Sequence, residues 1–157
     1  MPPVTPMDSD TLVLEQHDLG SGMTEPARGR ALTPEGSFIA FIPVSDLSVA
    51  RDFYCAVLGL PALEESPFAV VVDAMGTMLR LSKVEDLHIQ PFTIAGWQVP
   101  DMQAAVDSLT SVGVMLTRYE GMDQDDRGVW TTPGGDQVAW FTDPDGNTLS
   151  LTRFANV

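Results

Sequence analysis

Apolar and polar positions along this chain follow one scheme twice. From Ser37 the sequence turns into an apolar run, Phe38 to Val44, short and rich in β-formers, which predicts a strand. Ser45 or Asp46 can cap the next element, because a short oxygen-bearing side chain accepts bonds from the first free backbone donors of a helix. Leu47, Ala50, Tyr54, Val57 and Leu58 then recur at helical spacing and predict a helix with one buried face. Gly59 supplies a left-handed cap and Pro61 blocks continuation. Phe68 to Val72 and Met78 to Ser82 predict an antiparallel pair around the turn Ala74-Met75-Gly76-Thr77. After a polar connector from Lys83 to Pro91 the order repeats. Phe92 to Val99 predicts a strand, and Asp101 caps a helix whose buried stripe is Met102, Ala105, Val106, Leu109 and Val112, closed by Gly113. Val114 to Arg118, Val129 to Thr132, Gln137 to Thr142 and Thr148 to Phe154 predict four further strands.

The repeat is visible residue by residue. Val44, Asp46 and Leu47 map onto Val99, Asp101 and Met102 at an offset of 55, and Gly76, Leu79 and Leu81 onto Gly146, Leu149 and Leu151 at an offset of 70. Each copy is one strand, one helix and about three strands. The predicted fold class is therefore α+β: two βαβββ modules, 37–83 and 91–154, paired into a curved mixed sheet around a cavity, within a domain spanning 37–157. Residues 1–36 carry Pro2, Pro3, Pro6, Pro26 and Pro34 with an excess of acids, and predict a mobile N-terminal extension; His17 is read as a tail residue.

Composition narrows the partners. With 157 residues, 44% of them hydrophobic, and no apolar run long enough to span a bilayer, the chain predicts one domain without a membrane partner. No basic stretch followed by an apolar core opens it, so a signal peptide is not expected. The single Cys55, within Phe53-Tyr54-Cys55-Ala56-Val57, reads as a buried structural thiol, and a reducing cytoplasm is the expected setting. A formal charge of −14 argues against nucleic acid, whose phosphates need clustered Lys and Arg.

Three stretches resemble the vicinal oxygen chelate superfamily, the group of glyoxalase I, bleomycin resistance proteins and extradiol dioxygenases. They are Val44-Ser45-Asp46-Leu47, Phe53-Tyr54-Cys55-Ala56-Val57-Leu58-Gly59-Leu60 and the turn Asp143-Pro144-Asp145-Gly146-Asn147 before Leu149. The resemblance implies the paired-module fold over roughly 37–154 and leaves function open among lyases, isomerases, dioxygenases, transferases and binding proteins. In metal-dependent members a His on the first strand of each copy and a Glu beside the terminal strand leucine hold the ion. The matching positions here are Ile39, Ile94, Arg80 and Ser150. Isoleucine has no lone pair, Arg80 repels a cation and a lone hydroxyl is a poor ligand, so neither metal nor other cofactor is expected. Shifting the count by one residue gives Phe38, Ala40, Thr93 and Ala95, or leucines, none of them better. Asp123 to Gly128 resembles part of a calcium loop but lacks its terminal Glu, and His88 reads as a solvated connector residue.

Alternation on the strands aims Ile39, Phe41 and Pro43, then Ile94, Gly96 and Gln98, at the expected cavity, together with Met78, Arg80, Ser82, Thr148, Ser150 and Thr152. That is an apolar floor with a few polar groups. Arg80 has two readings: a clamp for a carboxylate or enolate, or a partner for a nearby acid such as Asp73. Trp97 alternates to the helix side, whereas Trp130 and Trp140 are candidates to stack on a flat ligand. Tyr119, Glu120 and Asp126 are suited to proton transfer. The leading expectation is a metal-independent small-molecule-binding protein with an aromatic or cationic ligand; the resemblance adds an expected homodimer with shared sites. The alternative is a metal-free isomerase, lyase or cyclase acting beside a carbonyl with Arg80 as electrophile, and behind it stands a metal-dependent glyoxalase-type lyase.

Overall fold

Residues 35–156 are described in a computed structural model, and the expectations for His17 and the segment before residue 35 fall outside it. The first module runs β1 (Ile39–Val44), α1 (Leu47–Arg51), a π-helical turn over Asp52–Val57, β2 (Ala62–Glu65), β3 (Ala69–Asp73) and β4 (Met78–Lys83). The second runs β5 (Thr93–Gln98), α2 (Met102–Ser111), β6 (Leu116–Thr117), β7 (Val129–Thr131), β8 (Gln137–Thr142) and β9 (Thr148–Arg153). The class is the expected α+β. Hydrogen bonding divides the strands into two mixed sheets, ordered β1-β4-β3-β2 and β5-β9-β8-β6, with β7 also paired to β8. In each, the first strand lies parallel to the last strand of its module.

Both helices start where the sequence placed their caps. Asp46 Oδ1 accepts from the backbone of Ser48 at 2.8 Å and Val49 at 3.1 Å, and Asp101 Oδ1 accepts from Ala104 at 3.0 Å. Gly59 and Gly113 end them with φ of +75° and +84°, conformations a side chain would strain. Two local details differ from the periodicity. The first helix widens into a π turn at Asp52, closed by the Leu58 N–H donating to the Phe53 carbonyl at 2.9 Å. Strand β2 lies at the sheet edge with all four residues exposed, so no buried face betrays it in the sequence.

One core serves both modules. Ile42 and Val44 of β1, Val70 and Val72 of β3 and Leu79 and Leu81 of β4 share it with Ala139 and Phe141 of β8 and Leu149 and Leu151 of β9. Ala50, Tyr54, Met102 and Val106 enter it from the helices. Because strand side chains alternate, the intervening residues of every strand lie on the opposite, outer face of its sheet. A polar seam ties the modules together at the turn between β8 and β9. The fully buried Tyr54 donates through Oη to Asp143 Oδ2 at 2.9 Å, Asn147 Nδ2 donates to the Pro43 carbonyl at 2.8 Å, and the Ser45 N–H donates to Asp145 Oδ2 at 2.9 Å. Burial, then the neighbouring Asp143 charge, raises the Tyr54 phenol pKa well above its ordinary value.

Candidate functional site

The outer face of the first sheet is built by register. Ile39 pairs with Met78, Phe41 with Arg80 and Pro43 with Ser82, while Val71 flanks Arg80 from the other side. Five of the expected residues thus share one face around a half-buried Arg80 set between Phe41 and Val71. Ile39, Phe41 and Met78 are exposed at 40%, 61% and 42%, an apolar area no described element covers. Asp73, the acid considered as a partner for Arg80, instead accepts from the Gly76 N–H at 2.6 Å. Among the described residues Arg80 makes no ion pair.

The outer face of the second sheet is aromatic and hydroxylic. Trp140 pairs with Ser150, Thr142 with Thr148 and Val138 with Thr152. Trp130 stacks on Trp140 at 6.2 Å and 29°, and Tyr119 meets Trp140 edge-on at 5.4 Å and 87°. The Trp140 indole donates from Nε1 to Thr93 Oγ1 at 3.0 Å, which fixes its ring on the sheet. Gly96 pairs with Ser150, and a Cβ there would overlap the Ser150 hydroxyl, so glycine is what lets β5 lie against β9. Thr148 and Ser150 are buried beneath this surface.

One expected position moves. The pairing of β5 with β9 shifts between Thr93 and Ala95, so Ile94 is the extra residue of a bulge and packs against the core. Thr93 takes the outward place, identified by its bond to Trp140. Gln98 pairs with Thr152 on the outer face as expected, and Trp97 turns inward to stack on Phe141 at 6.4 Å. Of the proton-transfer candidates, only Tyr119 joins the aromatic face. Glu120 is exposed in the following turn, and Asp126 lies with Arg118 and Arg127 beside α2. Arg80 and Trp140 stand on different sheets. Sequence reasoning missed Thr93 as an outward residue, Val71 beside Arg80, and the role of Asp143 and Asn147 as the seam; no local pattern distinguishes any of them.

The β-α-β-β-β doubling with one shared core now has a counterpart among known proteins. A family model for the Glyoxalase/Bleomycin resistance protein/Dioxygenase superfamily matches residues 37–151. The chain belongs to this superfamily. A solved member from Sphaerobacter thermophilus is 27% identical, with a TM-score of 0.59 over 76% of this chain and 97% of its own. A glyoxalase/bleomycin resistance protein/dioxygenase from Alicyclobacillus acidocaldarius is 19% identical, with a TM-score of 0.58 over 79% and 95%. A lactoylglutathione lyase from Agrobacterium tumefaciens is 18% identical, with a TM-score of 0.57 over 77% and 95%. No curated protein matches the chain. Superfamily members that use a metal need oxygen, nitrogen or sulfur donors at the paired strand positions, and the side chains here are Ile39, Arg80, Thr93 and Ser150. Two hydroxyls, an aliphatic group and a fixed cation do not suit a divalent ion. Among the described residues there is no group of three or more His, Cys, Asp or Glu that could hold one elsewhere, and no helix long and apolar enough to cross a membrane.

Proposed function

We propose that the chain is a metal-independent small-molecule-binding protein of the glyoxalase/bleomycin resistance type whose ligand carries a flat aromatic ring. The observation that carries the reading is the Trp130–Trp140–Tyr119 surface, oriented by the Trp140 bond to Thr93 on an outer sheet face. A ring stacked there buries area against side chains already held in place, and a positively charged ring gains further from the indole faces and the acidic balance of the chain. The donor chemistry at Ile39, Arg80, Thr93 and Ser150 supports metal independence. A homodimer that sets the Arg80 face of one copy against the Trp140 face of the other makes a single site from two outer faces, and the exposed Ile39, Phe41 and Met78 support such a cover. With a lone Cys55 and its acidic balance, the protein acts in the cytoplasm on small molecules, without nucleic acid.

A second reading is favoured by Arg80 itself. A guanidinium between Phe41 and Val71 with no described counter-ion suits a carboxylate or enolate, and makes the protein a metal-free isomerase, lyase or cyclase in which Arg80 holds developing negative charge and Tyr119 or Glu120 moves the proton. Purified protein should contain no stoichiometric nickel, zinc, manganese or iron by elemental analysis; retained metal whose removal by chelator lowers the melting temperature defeats both readings. A panel of cationic and neutral aromatics then separates them. Binders should quench tryptophan fluorescence in the wild type and much less in Trp140→Phe. Turnover of a bound ligand that Arg80→Ala abolishes with affinity retained selects the enzyme. Sedimentation at micromolar concentration tests the dimer, and a monomer there rejects the composite site.

A further inference from the structure

The side of the sheets away from Arg80 and Trp140 holds a hollow. Leu58, Leu60 and Met75 of the first module face Trp97, Leu109 and Phe141 of the second across a cavity of about 170 Å³. No charged side chain lines it. Ser108 is the one hydroxyl residue along it; its hydroxyl donates to the Ala104 carbonyl at 2.9 Å and so has only lone pairs left to offer a ligand.

Met75 at the rim is the unusual residue. It sits with φ of +57°, ahead of Gly76 at +92°, and is the only non-glycine with positive φ among the described residues. Ala74 and Thr77 close the turn with reciprocal bonds, N–H to carbonyl, of 2.8 and 3.4 Å. Two positive φ values in a two-residue hairpin define a type I′ turn, whose first position ordinarily takes Asn, Asp or Gly. A methionine there is conformationally disfavoured, and its side chain, 77% exposed, gains little from burial. A flexible thioether that makes favourable contacts with aromatic rings is, however, well suited to cover a ligand at the mouth of an apolar cavity.

We propose that this cleft between the modules is a binding site for a small uncharged aromatic molecule of one ring or one fused ring pair bearing a single hydrogen-bond donor, with Met75 as its rim. The size sets the class: an apolar cavity of about 150 Å³ accommodates a benzene-sized guest, whereas drug-sized ligands need about 300 Å³ or more. The uncharged lining excludes ionised ligands, because nothing offsets their desolvation. The lone pairs of Ser108 select a phenol or indole over a plain hydrocarbon. This inference is independent of the aromatic platform on the outer face, which lies across the sheet.

The test uses the full chain labelled at Leu, Met and Thr methyls and at the Trp indole nitrogens, titrated with indole and with phenol. Saturable shifts are expected at Leu58, Leu60, Leu109 and Met75. Met75→Asn, which gives the turn a residue it prefers, should melt at an equal or higher temperature yet bind about fivefold more weakly, the loss of one sulfur–aromatic contact. Ala105→Phe, which fills the cavity, should abolish the shifts. Absence of saturable shifts at these methyls, or a Met75→Asn affinity equal to that of wild type, overturns the proposal, since even the weakest sulfur–aromatic contact is worth about 1.7-fold. Binding seen only as perturbation of Trp130, Trp140 and Thr93 overturns it equally.

Discussion

Removing one oxygen atom tests how the two modules are held together. Tyr54→Phe deletes the hydroxyl that reaches from the first module to Asp143 in the second, and leaves the ring, fully buried, in place. Asp143 is itself buried and accepts four bonds: from Tyr54 Oη, from Asn147 Nδ2 at 2.9 Å, and from the backbone of Asp145 and Asn147 at 3.0 and 2.9 Å. A hydrogen bond to a charged group contributes about 1.5–3 kcal/mol, and with three partners remaining the loss should fall near the lower end, about 1.5–2 kcal/mol. That corresponds to a melting temperature lower by roughly 5–10 °C for a domain of this size. Urea unfolding followed by circular dichroism should show a lower midpoint with an unchanged slope. In an Asp143→Asn background the acceptor is neutral, and the same substitution should cost less than about 1 kcal/mol. A loss below about 0.5 kcal/mol in the wild-type background, the range of an ordinary surface change, would refute the view that this bond joins the modules. The sign with pH comes from the raised Tyr54 pKa. The contribution is complete below the unfolded tyrosine value of about 10 and diminishes as pH rises above it, since the unfolded chain then loses a proton that the folded chain keeps. That alkaline decline should be shallower in Tyr54→Phe.

Local geometry sets three other outcomes. Gly96→Ala should destabilise by about 1–3 kcal/mol by wedging β5 from β9, and Ser150→Ala in the same chain should recover part of the loss, both read by chemical denaturation. Asp46→Ala removes an acceptor of two backbone N–H groups and Asp101→Ala an acceptor of one; each should cost about 1 kcal/mol by the same assay, and a negligible loss at both would remove the capping argument. Cys55 has its thiol pKa raised, by burial first and despite the nearby Arg51, so less thiolate is present at pH 8 than in a free peptide. Alkylation by iodoacetamide should therefore be several-fold slower than in urea, and equal rates would show the thiol to be freely accessible.

The features legible in the sequence were those written in a short window. The apolar run from Phe38 to Val44, the paired caps Asp46 and Asp101, and the glycines at 59 and 113 each depend on a few neighbouring residues, and the structure places strand, caps and helix ends accordingly. Strand β2 escaped because Ala62 to Glu65 is exposed throughout, and a strand without a buried face leaves no alternation to read. The π turn escaped because apolar periodicity over Leu47 to Leu58 does not register a one-residue widening, and the bond from Tyr54 to Asp143, 89 positions away, leaves no trace in it. The Asp143 to Asn147 turn was readable as a turn, yet its use as the seam depends on Pro43, Ser45 and Tyr54 arriving beside it.

At the candidate site the same limit has a sharper consequence. A count of seven residues back from Asp46 and from Asp101 reaches Ile39 and Ile94 and treats the modules as superimposable. A bulge absorbs one residue in β5, so the second copy turns Thr93 outward and Ile94 inward, and the equivalence fails by one position in one module only. The donor set fails a metal in either register, since a threonine hydroxyl in place of an aliphatic group still leaves no imidazole, thiolate or carboxylate at the paired positions. What the bulge changes is the aromatic face. Had Ile94 faced outward, nothing would hold the Trp140 indole, whereas Thr93 accepts its N–H and fixes the ring against which Trp130 and Tyr119 pack. The local irregularity that defeats a symmetric reading of the repeat is thus what anchors the Trp140 ring on the second sheet. Thr93→Val, which keeps the shape and removes the acceptor, is the substitution that should loosen Trp140 without moving the fold, read as lower order of its indole nitrogen by NMR relaxation.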